Sequence, residues 1–215
     1  MKRFLIIFLV SALTALSLYG CKNTNEKPDG NSSIIVNLST PKSNETENPS
    51  INQEAGAQDR YYLKLSSTEI TDAGISLNGR LLVRYTNTTG SPVYSLSFKL
   101  QEGVSINSVS VNSIATNFTL DKESNTLTVP VGAQLMPNES LSLYVNYTAK
   151  AVKALSDAVL RFSEERAPIK HTVLVTVDNT YTVSSSLGTP EIAEGSKKTF
   201  TFTAESKNDF TLELR

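Results

Sequence analysis

The sequence has 215 residues and contains no tryptophan, one histidine and one cysteine. With a single cysteine, the chain cannot form an intramolecular disulfide. The absence of tryptophan weakens the case for sugar stacking, although eight Tyr and eight Phe remain. Neither a Gly-x-Ser-x-Gly sequence nor a glycine-rich phosphate loop is present, and any catalytic triad would have to use His171. We therefore expect no cofactor and no enzymatic activity.

Charge of one sign is also lacking. The chain has 20 Lys and Arg against 21 Asp and Glu, a formal net charge of −1. No run of Lys or Arg interrupts this balance. Nucleic-acid binding needs a basic face, so we expect no nucleic-acid partner.

The N-terminus has the layout of a secretory signal peptide. Lys2 and Arg3 precede an apolar run from Phe4 to Leu18, and small and polar residues follow. A membrane-spanning helix needs about 20 apolar residues, and this run is shorter and interrupted by serine and threonine. We therefore predict that residues 1–20 form a signal helix that is removed.

The end of this segment, Leu18-Tyr19-Gly20-Cys21, resembles the lipobox of bacterial lipoproteins. Leu18 and Gly20 match that pattern, whereas Tyr19 is larger than the usual residue. The resemblance implies cleavage between Gly20 and Cys21 and diacylation of the Cys21 thiol. Two acyl chains anchor a protein stably, so the expected partner is a lipid bilayer, at the cell membrane or outer membrane. The alternative is an ordinary signal peptide with a chance cysteine.

Residues 21–57 comprise the lipidated cysteine and a linker rich in Asn, Ser, Thr, Glu and Pro. Such a composition buries too little apolar surface to offset the entropy of ordering, so we expect disorder. As a flexible coil, the 36 residues after Cys21 would span about 30–36 Å. The apolar patch at 33–38 leaves one alternative, a strand added to the domain edge.

Residues 58–215 alternate between apolar and polar positions nearly throughout. The apolar sets are Tyr94, Leu96, Phe98, Leu100; Leu141, Leu143, Val145, Tyr147; Val173, Val175, Val177; Phe200, Phe202, Ala204; and Phe210, Leu212, Leu214. A period of two with one polar face predicts antiparallel sheets packed as a β-sandwich.

Turn residues separate these runs. They are Asp72-Ala73-Gly74, Asn78-Gly79, the segment 87–92, Pro137-Asn138, Asp178-Asn179 and Glu194-Gly195. The stretch 151–171 breaks the alternation, because Val152, Leu155, Val159 and Phe162 are at helical spacing. We predict a short helix or an irregular crossover there, with a strand at 159–162 as the alternative.

The strands follow a recognisable order. They are a Tyr-led strand Arg60–Leu65, a Gly-led strand Gly79–Asn87 that ends in Tyr-x-Asn, a Leu/Phe strand Val93–Leu100, a strand Ser105–Val111, a hairpin 116–129, a closing strand Leu141–Tyr147, and later strands in 170–187, 199–202 and 209–212. This order resembles the N-terminal β-domain of aminopeptidase N-type zinc metallopeptidases. The resemblance implies saddle-like β-sheets.

The enzyme's chemistry is missing from this sequence. Members of that family bind zinc through H-E-x-x-H and a distant Glu, whereas His171 is followed by Thr172 and is the only histidine. The family's Gly-Ala-Met-Glu-Asn loop is absent too, and residues 151–169 replace its substrate-recognition segment. The resemblance therefore implies the scaffold domain without metal or catalytic residues.

Other polar groups have ordinary explanations. His171 is expected to be solvated or packed at a strand start. Glu164 and Glu165 are expected to be a solvated charge cluster beside Arg161 and Arg166. Asp178 and Asn179 are expected to form a turn, since no loop has the spacing of a calcium site. The Asn87-Thr88-Thr89 sequon is expected to carry no glycan behind a bacterial-type signal.

Three functional hypotheses follow. The first is a membrane-anchored, extracytoplasmic lipoprotein whose noncatalytic β-sandwich binds or scaffolds an envelope protein or polysaccharide. The second is the N-terminal portion, or a degenerate remnant, of a zinc aminopeptidase-like protein, which the apolar strand before Arg215 would suit. The third is a carbohydrate- or solute-binding module, which would place exposed aromatic residues on one sheet face; the candidates are Tyr62, Tyr94, Tyr144 and Tyr181.

Overall fold

The computed structural model describes residues 59–164, 169–207 and 209–215. The predicted signal helix, Cys21 and the linker lie outside these residues. Within them, no helix is long and apolar enough to cross a membrane.

The fold is all-β, which confirms the predicted class. The strands of the described residues are β1 Arg60–Thr71, β2 Gly74–Thr86, β3 Val93–Lys99, β4 Val104–Val111, β5 Ile114–Ala115, β6 Thr119–Asp121, β7 Thr126–Leu135, β8 Ser140–Val152, β9 Arg161–Phe162, β10 Ile169–Val177, β11 Val183–Ser185, β12 Glu191–Ala193, β13 Lys198–Lys207 and β14 Leu212–Leu214. A 3-10 helix, Leu155–Ala158, lies between β8 and β9.

The strands form three sheets. An eight-stranded sheet has the order β12-β13-β10-β1-β2-β8-β4-β5, a four-stranded sheet has the order β6-β7-β3-β9, and β11 pairs with β14. The pairing is antiparallel, as predicted, except that β1 and β10 are parallel. Apolar alternation is the same in both kinds of pair, so the sequence pattern does not indicate the parallel one.

The core lies on one side of the eight-stranded sheet. Every second residue is buried there in β1 as far as Ser67, in β8 as far as Ala149 and in the whole of β10, and Leu63, Leu143 and Val173 have no exposed surface. Leu96, Phe98 and Leu127 of the four-stranded sheet belong to the same apolar cluster. The predicted inward sets are thus largely confirmed, because alternation places them on one face.

Tyr94 is an exception to the inward set of β3, since 62% of it is exposed. The pairing of β3 with β7 shifts register between Val93 and Ser95. The extra residues are in β7, where five positions separate Leu135 from Pro130, against two positions between Val93 and Ser95 in β3. Tyr94 thus lies where the ladder between β3 and β7 is interrupted, whereas Leu96 and Phe98 lie in its regular part and are buried.

The predicted turn at Asn78-Gly79 is wrong, because β2 runs straight through it from Gly74 to Thr86. Gly79 lies directly opposite Tyr147 of β8. The Tyr147 ring occupies the space that a Cβ at Gly79 would need. Gly79 is therefore a packing residue inside a strand rather than a turn residue.

The irregular stretch after β8 combines the predicted alternatives. It contains the 3-10 helix Leu155–Ala158 and the two-residue strand β9. Two tyrosine hydroxyls hold it against the large sheet: Tyr147 donates to the Ala158 carbonyl and Tyr61 to the Leu160 carbonyl, each at 2.6 Å. Both hydrogen bonds are buried, so they fix the crossover across the core.

Candidate functional site

The predicted lipidation site, Cys21, and the predicted cleavage position between Gly20 and Cys21 lie outside the described residues. The structure therefore leaves both as predictions from the sequence.

His171 is packed rather than solvated. Only 2% of it is exposed, and its ring lies 5.1 Å from that of Tyr61 and 5.2 Å from that of Phe210, measured between centroids. Burial lowers its pKa, which a hydrogen bond with the Ile169 backbone and the nearby Asp209 carboxylate partly offset. Its Nδ1 has no hydrogen-bond partner among the described residues. This ring is a core residue and is not presented to a substrate.

The predicted charge cluster of Glu164 and Glu165 lies only partly within the described residues. Arg161 pairs with Asp209 at 2.8 Å and donates to the carbonyl oxygens of Ser156 and Phe210. Glu164 is exposed. Glu165 and Arg166 lie outside the described residues.

Asp178 and Asn179 form a turn that is tied to the neighbouring β12–β13 turn. Asp178 pairs with Lys197 at 3.0 Å, and Asn179 donates to the Gly195 carbonyl at 3.2 Å. The predicted role of these residues in a turn is confirmed. Among the described residues, no group of three or more His, Cys, Asp or Glu could hold a metal ion.

Asn87, the asparagine of the sequon, is fully buried. Its Nδ2 donates to the Ser91 carbonyl at 2.9 Å and to the Leu135 carbonyl at 2.8 Å. Its Oδ1 accepts from the Thr89 backbone at 3.0 Å and from the Thr89 hydroxyl at 2.7 Å. The amide thus holds the β2–β3 loop together, and the folded domain leaves its nitrogen no room for a glycan.

Of the four tyrosines considered for ligand stacking, the structure brings two together. Tyr62 of β1 and Tyr144 of β8 lie on either side of Leu82 of β2. Tyr181 packs partly against the core, and Tyr94 lies on the other sheet. Leu82 is only 1% exposed, yet it is not part of the core cluster. The two tyrosines therefore cover Leu82 on the side of the sheet that faces away from the core.

We call this side of the eight-stranded sheet the outer face. Its central residues are Arg60, Tyr62 and Lys64 of β1, Arg80, Leu82 and Arg84 of β2, Tyr144 and Asn146 of β8, and Lys170, Thr172 and Leu174 of β10. Burial raises the pKa of Tyr62, and the nearby Arg80 guanidinium lowers it in part. Arg80 also donates to the Asn146 side chain at 3.2 Å.

The cations of the outer face went unnoticed as a group in the sequence. They are far apart along the chain, and only the strand pairing aligns them. What they share in the sequence is that each occupies a polar position of an alternating strand, in β1, β2 or β10. That phase shows which residues face outward but not which strands are neighbours.

Comparison with known proteins gave structural matches only. No family model matches the sequence, and no curated protein matches it. The fold resembles that of M1 zinc metallopeptidases. A crystal structure of the enzyme from Deinococcus radiodurans matches with a TM-score of 0.58 and 16% identity over 73% of this chain. Mutants of a two-domain M1 zinc metallopeptidase bound to L-arginine and to L-tryptophan match with TM-scores of 0.57 and 0.56, also at 16% identity.

The chain spans 41% of the length of the Deinococcus radiodurans enzyme. At this low identity the match establishes the fold, and it agrees with the resemblance to the N-terminal β-domain of that family.

The described residues do not fit the zinc site of that family. The only histidine of the chain, His171, is enclosed by aromatic rings in the core.

Proposed function

We propose that this chain is a membrane-anchored, extracytoplasmic lipoprotein whose β-sandwich binds an envelope component without catalysing a reaction. The observation that carries the noncatalytic part is the combination of a peptidase-like β-fold with a sequence that has one histidine, and that one in the core. A binding role suits a rigid sandwich whose outer face is rich in polar groups.

Support for the anchor comes from the sequence around Cys21. The chain would be cut after Gly20 and held by acyl chains on the Cys21 thiol. Metabolic labelling with an alkyne fatty acid tests this in a bacterial host that expresses the full chain. We expect label on the wild type and none on Cys21→Ser.

Tyr19→Ser is the matched control for the anchor. It brings the lipobox closer to the usual pattern and should keep the label, whereas Cys21→Ser should also move from the membrane to the soluble fraction. An unlabelled wild-type chain, or label that survives Cys21→Ser, would refute lipidation at this cysteine.

The binding role can be tested with the full chain in its own envelope. Chemical cross-linking, detergent extraction and mass spectrometry of the captured material should give a component enriched in a fixed ratio. The control is a chain that keeps residues 1–57 and carries an unrelated β-domain. A purified chain that hydrolyses aminoacyl substrates at a rate far above background would overturn the noncatalytic proposal.

The second candidate is the N-terminal portion, or a remnant, of a zinc aminopeptidase-like protein. The structural match to M1 zinc metallopeptidases favours it. The genomic sequence downstream of Arg215 discriminates, because a continuous reading frame with H-E-x-x-H would support the peptidase portion. A stop codon followed by unrelated sequence would leave the lipoprotein proposal or the remnant.

A further inference from the structure

The outer face contains two pairs of like charges. In each pair, a cation of β1 stands directly opposite a cation of β2. Arg60 pairs in register with Arg84, and Lys64 pairs with Arg80. Lys170 of β10 lies beside Arg60 and extends the first pair into a row of three cations. Like charges opposite each other destabilise a sheet. These two pairs and Lys170 concentrate positive charge on this part of the outer face.

An aromatic row separates the two cationic rows. Tyr62, Leu82 and Tyr144 are in register across β1, β2 and β8, midway between Arg84 and Arg80 along β2. Successive rows are about 6.8 Å apart, because two residues of an antiparallel strand rise that far. Tyr62 and Tyr144 are two strands apart, about 10 Å. An extended ligand along the strands would meet a cation, an aromatic and a cation in turn.

Two carboxylates of the described residues border the row of Arg60, Arg84 and Lys170. Glu205 pairs with Lys170 at 2.9 Å, and Asp59 accepts a hydrogen bond from Thr86 at 2.6 Å. The flanks are rich in hydroxyl and amide groups, contributed by Ser66, Asn78, Ser142, Asn146, Thr148, Thr172 and Thr176. A ligand with many hydroxyls and regularly spaced carboxylates matches this surface in charge and in hydrogen bonding.

We propose that the outer face binds an extended acidic polysaccharide that carries carboxylates on its sugars. Arg60, Lys64, Arg80, Arg84 and Lys170 would hold the carboxylates, since charge-assisted hydrogen bonds to carboxylates are strong. Tyr62 and Tyr144 would pack against the sugar rings between them. This inference rests on the proposed binding function and names its ligand class.

Two other partners fit the surface less well. Protein interfaces centre on apolar anchors, whereas Leu82, the central apolar residue here, is already covered. Insertion into lipid needs protruding apolar side chains. Among the described residues, the exposed large apolar side chains are Tyr94, Ile114, Leu120, Met136 and Ile192, and none is on β1, β2 or β8.

The test uses the full chain in non-ionic detergent and isothermal titration with oligogalacturonate. The fully methyl-esterified oligosaccharide is the matched ligand, because it keeps the backbone and removes the charge. We expect binding to oligogalacturonate that weakens with salt, and at least tenfold weaker binding to the ester. Equal binding of both ligands, or binding of neither, would overturn the proposal.

Variants locate the site. The double variant Arg60→Ser, Lys64→Ser should weaken binding about tenfold, since each exposed ion pair contributes modestly. The control Lys99→Ser, Lys122→Ser removes the same charge from β3 and the β6–β7 turn, and it should bind like the wild type. Tyr144→Thr should weaken binding and Tyr144→Phe should retain it.

Other outcomes are equally decisive. Equal losses in the two charge variants would refute the outer face as the site. Binding to vesicles of phosphatidylglycerol and phosphatidylcholine, without binding to oligogalacturonate, would assign this face to the membrane and refute the polysaccharide. A cross-linked protein partner in the absence of oligogalacturonate binding would refute this inference while leaving the proposed binding function in place.

Discussion

Gly79 of β2 lies directly opposite Tyr147 of β8, and the tyrosine ring covers the glycine. The same Tyr147 donates its hydroxyl to the Ala158 carbonyl in the crossover. Because Gly79 has no side chain, the ring can cross its neighbour's strand and reach that carbonyl. The pair thus links the strand pairing of the large sheet to the position of the crossover.

We expect Gly79→Ala to destabilise the domain by about 1–3 kcal/mol, because the new methyl group would overlap the Tyr147 ring in a closely packed core. Urea unfolding of the full chain in detergent measures the change. Gly90→Ala is the control, since a Cβ at Gly90 meets nothing within 4 Å. Equal stability of the two variants would show that Tyr147 does not need the space above Gly79.

Removal of the buried tyrosine hydroxyls should also destabilise the fold. Tyr61→Phe and Tyr147→Phe leave the carbonyls of Leu160 and Ala158 without these donors, and each unsatisfied buried group costs about 1–3 kcal/mol. Tyr144→Phe, on the outer face, should have little effect. The double variant tests coupling, because both hydroxyls hold one segment. Losses no larger than that of Tyr144→Phe would argue against this role.

Asn87 offers a test of the β2–β3 loop. Asn87→Asp replaces a donor by an acceptor that faces the carbonyl oxygens of Ser91 and Leu135. We expect a loss of about 3 kcal/mol or more at neutral pH from the buried charge, and a smaller loss at low pH, where the carboxyl is protonated. Asn107→Asp, at an exposed position, is the control. A loss that does not depend on pH would contradict a buried charge.

His171 should make stability depend on pH. Burial lowers its pKa in the folded state below the ordinary 6.5. As the pH falls below about 6.5, the unfolded chain binds a proton that the folded chain does not, so stability decreases until the pH reaches the folded pKa. His171 therefore does not reduce the stability of the fold above about pH 6.5.

His171→Phe is the variant that checks this dependence. It removes the only histidine, and carboxylates titrate mainly at lower pH. Urea unfolding between pH 5.5 and 7.5 should show a slope for the wild type and a much flatter profile for His171→Phe. The same slope in both chains would assign the pH dependence to another group.

Much of the fold was predictable because apolar alternation is a local property. Leu141, Leu143, Val145 and Tyr147 are four alternating residues, and all are buried. The turns at Asp72–Gly74 and Pro137–Asn138 follow from the backbone preferences of Gly, Pro and Asn. The Asn78-Gly79 turn failed because a residue far along the chain, Tyr147, occupies the space above Gly79.

The candidate site was less predictable. The sequence suggested Tyr62 and Tyr144 as ligand-facing residues but equally suggested Tyr94 and Tyr181. Strand pairing selected the first two, since β1 and β8 both flank β2. The opposition of Arg60 to Arg84 depends on register, which arises from packing of the whole sheet.

By itself, the sequence determined the strand content, which side of each strand is apolar, and the absence of a second histidine that a family zinc site would need. These follow from residue type and periodicity, which act over a few neighbours. Only the tertiary structure decided the parallel pairing of β1 with β10, the burial of His171 and the assembly of five cations around two tyrosines. Each of these joins residues far apart in the chain, and their energies depend on which strands become neighbours.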